Sequence, residues 1–287
     1  MLTENALIDL KNSRRRDEVR IKAGTRLSNQ IQAYCRGYAC EMAGKPITDP
    51  WAKKEGARLF REYLKTPERT PLNLAFLIDD LVIAYTHIRQ ARSEAEKVMA
   101  KLGADLPYAD IILGIRGMGA ATYATILAEA GNDLTQYATP SCLWKRFGLA
   151  VLAGQRQGNP DTANEAASGE LWERFKPGTL DKPENAYGLR EKVFMAHGYS
   201  PKRRAIMAVA TENIAVRNGC PEYGKLYRKQ KAFELARGFQ KGHAHNRALR
   251  FCSKRLLLNI WRVWNGQDML VLDPRDNCFD TPDPRDT

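Results

Sequence analysis

Apolar positions recur every three or four residues over two long stretches early in this chain, the period of a helix buried along one side. Val19, Ala23, Leu27, Ile31 and Tyr34 form one stripe within residues 6–43. Leu74, Leu77, Leu81, Tyr85, Ile88, Ala95, Val98 or Met99, and Leu102 form a second over 73–102, near a heptad, with Arg92 at one seam position and Gly103 placed as a stop. A helix of that length spans roughly 45 Å at 1.5 Å per residue. It can pack on the first as an antiparallel hairpin or pair with another copy, and the pattern leaves both open. Pro46, Pro50, Pro67 and Pro71 break the connection, with room for one short helix at about 50–65.

Further along, Leu143, Trp144 and Phe147 lie on one face of a short helix over 140–150, and 201–217 and 243–265 read as helices. Leu256, Leu257, Ile260, Trp261 and Trp264 form the core stripe of the last. Residues 154–198 read as a loop or insertion, rich in Gly, Pro, Asn and Asp, with a short helix at 168–175. Residues 266–287 repeat Asp-Pro-Arg-Asp and read as a disordered acidic tail. The expectation is an all-α chain: a basic helical or coiled-coil arm at 1–105, a helical domain at 106–265, and the tail.

The segment from Ile112 to Glu129 carries the most specific pattern. Apolar-Arg-Gly-apolar-Gly, with Arg116, Gly117 and Gly119, precedes a run rich in small residues. This order predicts a helix-hairpin-helix: a first helix at about 107–114, a turn whose two glycines permit positive φ and close approach, Met118 tucked inside, and a second helix from about Ala120. The amides of Ala120, Ala121 and Thr122 would then face outward at the positive end of the helix dipole, with Arg116 beside them. No strand pattern precedes the glycines and a third glycine is missing, so this is not a dinucleotide fingerprint. The plain alternative is a helical hairpin that binds nothing.

Charge sharpens this. Lys and Arg number 45 against 33 Asp and Glu, a formal +12 with a pI near 9.5. Such a surplus favours a polyanionic partner, nucleic acid first. Between Tyr199 and Arg255 there are fourteen Lys and Arg against three Asp and Glu, a surplus of eleven. Lys202, Arg203, Arg204, Arg228, Lys229 and Lys231 are the candidate phosphate contacts there, interleaved with Tyr223, Tyr227, Phe233 and Phe239. The basic surface of the first helix reads equally as a phosphate-facing arm and as a solvated face. The six scattered cysteines read as free thiols, and His243 and His245 lack a third ligand, so no metal site is expected. The chain holds no apolar run long enough to span a bilayer and no signal-peptide pattern at its start, so no membrane is expected and the expected place is the cytoplasm, at the nucleoid.

Four blocks then follow one another: Ile115-Arg116-Gly117-Met118-Gly119, Leu127-Ala128-Glu129-Ala130-Gly131-Asn132-Asp133, Tyr137-Ala138-Thr139-Pro140 and Phe147-Gly148-Leu149-Ala150. Their order resembles the C-terminal domain of the IS-one-ten (Piv-like) insertion-sequence transposases. Gly198 to Arg204, Tyr223 to Ile260 and the basic stretch 14–34 are similar more loosely. The resemblance implies DNA binding in transposition and site-specific recombination, a homo-oligomer or assembly with a full-length transposase, and a structured guide RNA as a second partner. The family's N-terminal domain of RNase-H type, which holds Mg²⁺, has no counterpart in residues 1–105. No cofactor is therefore expected in this chain, nor autonomous catalysis. The family's serine nucleophile follows a "GLAP" motif; here Val151 replaces the proline and Gly154-Gln155-Arg156-Gln157-Gly158 holds no serine, which leaves Ser168 and Ser200 as candidates. Three readings stay open: the DNA-engaging half of a recombinase, a non-catalytic nucleic-acid-binding regulator or scaffold, and a helical protein with a basic face and no nucleic-acid role.

Overall fold

Helices carry most of the described residues in a computed structural model that describes residues 4–131, 133–152, 155–156 and 200–270. The expected helix at 168–175, Ser168 and the acidic tail beyond residue 270 lie outside the described residues. Two compact units are present among the described residues: one from Ile8 to Met99, the other holding those from Ala100 onward together with 4–7.

In the first unit, α1 (Glu4–Ala43) and α3 (Leu72–Ala104) run antiparallel, with α2 (Pro50–Tyr63) between them in sequence. Asp17 pairs with Arg92 at 3.9 Å, while Gly24, further along α1, meets Ile88, earlier in α3. Of the two pairings open to the sequence, the one within the chain is observed. The seam on α3 is Leu74, Ile78, Leu81, Tyr85, Ile88, Arg92, Ala95 and Met99, in strict alternation of four and three. Leu77 and Val98, at or beside expected seam positions, are half exposed. Leu77 and Ile78 are both apolar neighbours, so hydrophobicity alone cannot choose between faces 100° apart. On α1 the difference is larger. The inward line is Leu10, Arg14, Asp17, Ile21, Gly24, Ser28, Ile31 and Cys35, whereas Val19 is 66 % exposed and Tyr34 43 %. Polar and small residues occupy half of the true seam, and the apolar stripe skipped them.

Proline and aspartate start α2 as local chemistry requires: Asp49 accepts the Trp51 amide at 2.8 Å, with Pro50 in the first turn. Its Ala52, Gly56, Phe60 and Tyr63 face inward, Gly56 against the backbone of Gln32 and Arg36. Phe60 and Tyr63 close a core with Ile31, Cys35, Leu74, Ile78 and Val82. Burial pushes the Cys35 thiol up to about 11.

The second unit is organised by its last helix. Its elements are α4 (Ala109–Ile112), α5 (Ala120–Ala130), α6 (Pro140–Arg146), α7 (Pro201–Glu212), α8 (Pro221–Ala236) and α9 (Lys241–Trp264). A π turn, Asn213–Arg217, extends α7. The one strand pairing among the described residues is Val151–Leu152 against Gln155–Arg156. α9 packs along α8 and against α7 and α6, and it buries Leu256, Leu257 and Ile260 completely. Indole N–H groups fasten it: Trp264 donates to the Tyr123 hydroxyl at 2.9 Å, Trp261 to the Tyr137 carbonyl at 2.8 Å, and Trp144 of α6 to the Lys254 carbonyl at 3.1 Å. α8 is a helix that apolar periodicity did not single out. Its inward positions, Tyr223, Gly224, Leu226, Tyr227 and Glu234, mix aromatic, small and charged residues.

Gly103 does not stop α3, which continues to Ala104. A Cβ at Gly103 would fall 2.0 Å from the Ala120 carbonyl oxygen. Glycine is needed there for contact with the first turn of α5, not for a turn of its own.

Candidate nucleic-acid interface

The turn between α4 and α5 is built from the residues that the sequence singles out, with different duties. The expected first helix is short, Ala109–Ile112. Met118 is buried and its amide bonds the Ile115 carbonyl at 2.9 Å. Gly117 takes a φ of +90°, which only glycine adopts at low cost; Gly119 sits at −84° in extended backbone and needs no such freedom. A Cβ on Gly117 would come 2.9 Å from Asn218 Cβ and 3.1 Å from Ile214 Cα, whereas one on Gly119 would meet only Thr122 Oγ1 at 3.8 Å. Gly117 therefore serves packing, and Gly119 is the exposed member of the pair.

The first helical bond of α5 is Tyr123 N–H to the Gly119 carbonyl at 3.0 Å, and no side chain caps the helix. The N–H groups of Ala120, Ala121 and Thr122 lie ahead of that bond, the arrangement that suits an anion. Arg116, four residues before Ala120, is exposed.

The Gly117 contact brings a second region to this turn. Asn218, against Gly117, follows Arg217, and residues 216–219 are all exposed. Two residues later α8 begins, its first turn seated on the π turn through Gly224, which lies close to the Ala215 carbonyl. Along α8, Lys225, Arg228, Lys229, Ala232 and Phe233 are exposed on one helical face, with Glu222 exposed in the first turn. Lys231 is half-buried, its ammonium 5.6 Å from the Tyr227 ring centre, and Tyr227 shares a 2.6 Å hydrogen bond with His245 Nδ1.

Lys202, Arg203 and Arg204 do something else. Lys202 and Arg203 pair with Glu129 of α5 at 3.6 and 3.2 Å. Arg204 donates twice to the Gly148 carbonyl at the end of α6, at 2.8 and 2.5 Å. Arg146 reaches the Glu129 carbonyl at 2.8 Å. This trio binds α5, α6 and α7 together, and much of its charge is answered inside the fold. Nearby, Arg250 donates to the carbonyls of Leu149 and Ala150. Lys254 lies over the Trp144 ring, and burial, then the charge of Arg250, holds its ammonium down at about 8.

Ser200 is buried at the start of α7, and no His or carboxylate hydrogen-bonds its hydroxyl among the described residues. No cluster of three His, Cys, Asp or Glu side chains suited to a metal occurs among the described residues, and His243 packs on the edge of Phe239. Cys35, Cys40, Cys142, Cys220 and Cys252 are free thiols. No described helix is long and apolar enough to cross a membrane. No protein-family model, curated protein or solved structure matches this chain.

Proposed function

We propose that this protein binds duplex DNA through the α4–α5 turn and the exposed face of α8, as the DNA-engaging component of a transposition or recombination system. The observation that carries this reading is the contact of Gly117 with Ile214 and Asn218. It joins the uncapped start of α5 and Arg116 to Arg217 and the basic helix that follows, regions about a hundred residues apart in sequence. A helix-hairpin-helix use of the turn is part of the proposal: the amides of Ala120 to Thr122 take one phosphate, and Arg116, Arg228 and Lys229 take its neighbours. The order of motifs resembling the IS-one-ten transposases supplies the biological setting. Among the described residues no base hydrogen-bonds Ser200, so the reading assigns them DNA engagement.

A salt series of duplex binding by the full chain, with a Mg²⁺ lane inspected for cleaved or covalently attached DNA, tests this. Log affinity is expected to fall linearly with log salt, the slope dropping by about one for each of Arg116→Ala, Arg228→Ala and Lys229→Ala. Absent binding, or a slope that none of these changes moves, rejects the interface. Cleaved or attached product rejects the limit to DNA engagement.

A further inference from the structure

We infer that the tip of the α8–α9 hairpin is a stacking platform for an unpaired DNA base, with Phe233 as its open face. This rests on the DNA-binding reading above and adds a preference for DNA that is not fully paired.

Lys225, Lys229, Phe233 and Arg237 follow one another at intervals of four, so they share a line along one side of the helix and its end, and all four are exposed. Phe233 keeps 54 % of its surface in solvent. A large apolar ring between cations on a helix surface suits a ligand with a flat π face and a negative backbone. Beyond Phe233 the aromatic and cationic groups continue. The Arg237 guanidinium lies 5.6 Å from the ring centres of both Phe233 and Phe239. Arg247 covers Phe239 at 4.5 Å, and His243 meets its edge at 5.1 Å. Arg247 is itself held by Glu234 at 2.6 Å, so Phe239 is fixed from beneath. Gly238 turns the chain at a φ of +85°, with nothing within 4 Å of its missing side chain, which leaves backbone room at the tip.

Electrostatics point the same way. Glu234 is the only carboxylate between Glu222 and Asp268, it is 3 % exposed, and it is engaged by Arg247 and Gln230. Eleven Lys and Arg occupy residues 223–267. Past Glu222 in the first turn of α8, a strand laid along this hairpin meets no exposed acid. An aromatic side chain cannot lie flat on a base that is already stacked within a duplex, so the base it takes is an unpaired one.

The test compares two labelled probes on the full chain: a blunt DNA duplex, and the same duplex interrupted by a run of unpaired thymines. The interrupted probe is expected to bind roughly tenfold more tightly, from stacking of one base. Phe233→Ala removes that preference, with an unchanged thermal denaturation reporting an intact fold; Phe233→Trp retains it. Equal affinity of the wild type for the two probes overturns the platform and leaves duplex binding standing. A preference that survives Phe233→Ala overturns its placement at the tip. An RNA strand that competes better than the DNA strand of the same sequence overturns the assignment to DNA. Self-association of the chain that Phe233→Ala abolishes, with no change in probe preference, overturns it in favour of a protein contact. Binding to neither probe defeats this inference and the DNA-binding reading together.

Discussion

The α1–α3 pair and the α8–α9 pair are both antiparallel and both rich in Lys and Arg, yet they dispose of their charge in opposite ways. In the first, carboxylates stand one turn from the cations or across the seam, Arg14 by Asp17, Lys22 by Glu18 and Arg92 by Asp17, and in the intervening α2 Arg58 stands by Glu55 and Glu62. In the second, eleven cations stand with two carboxylates, Glu222, exposed in the first turn of α8, and Glu234, which is buried. Residues 8–99 hold eighteen Lys and Arg, more than the α8–α9 stretch does, but also twelve Asp and Glu. A count of basic residues therefore ranks the first region above the second, whereas the local supply of acid reverses the order of their net charge.

The contrast can be attacked at its most costly point. Glu234→Ala leaves the Arg247 guanidinium without its buried partner and is expected to cost about 3 kcal/mol in chemical denaturation. A loss below 1 kcal/mol would mean that the pair is incidental to the hairpin. Lys254→Met is expected to stabilise the chain near pH 7, by a gain on the order of 3 kcal/mol at most. The folded pKa of Lys254 lies below its ordinary 10.5, so the ammonium opposes folding. That penalty is complete below about pH 8 and fades as pH climbs toward 10.5, because over this window the unfolded chain holds the extra proton. Cys35 and Cys252, raised by burial to about 11 and about 12, act with the opposite sign, lowering stability as pH rises above 9. The gap between wild type and variant isolates the lysine, and a gap independent of pH would refute its depressed pKa.

Smaller effects sharpen the comparison. Gly117→Ala meets both a positive φ and Asn218, and is expected to cost about 2 kcal/mol, whereas Gly119→Ala stays within about 1 kcal/mol. Thermal denaturation of the two variants separates the packing glycine from the surface one, and equal losses would contradict that division. In the salt series, Lys22→Ala on α1 is expected to leave the slope unchanged while Lys229→Ala lowers it by about one. Equal changes at both sites would erase the distinction between compensated and uncompensated charge.

The helical class was legible from the apolar period alone, and on α3 much of the seam was, apart from the choices between Leu77 and Ile78 and between Val98 and Met99. α1 was harder because its inward line contains Arg14, Asp17, Gly24 and Ser28, which carry no hydrophobic signal. α8 escaped for a related reason: its buried face includes Glu234 and Gly224, acceptable only because Arg247 and the Ala215 carbonyl wait opposite. At the candidate interface, Arg116 and the start of α5 stand where the motif put them. Lys202, Arg203 and Arg204 read as a phosphate cluster because their partners, Glu129 and the Gly148 carbonyl, are more than fifty residues distant in sequence. Local composition reveals a cation and cannot reveal what answers it.

The polar positions of the first hairpin also fix its alignment. Gly24 is the notch that admits Ile88, and Asp17 faces Arg92. A slip of one heptad would preserve the four-three rhythm but set Asp17 opposite Tyr85 or Met99, and drive Ile88 onto Asp17 or Ile31. An all-leucine seam would tolerate such sliding; this one works as a keyed lock, in which the least hydrophobic residues decide where the two helices stop.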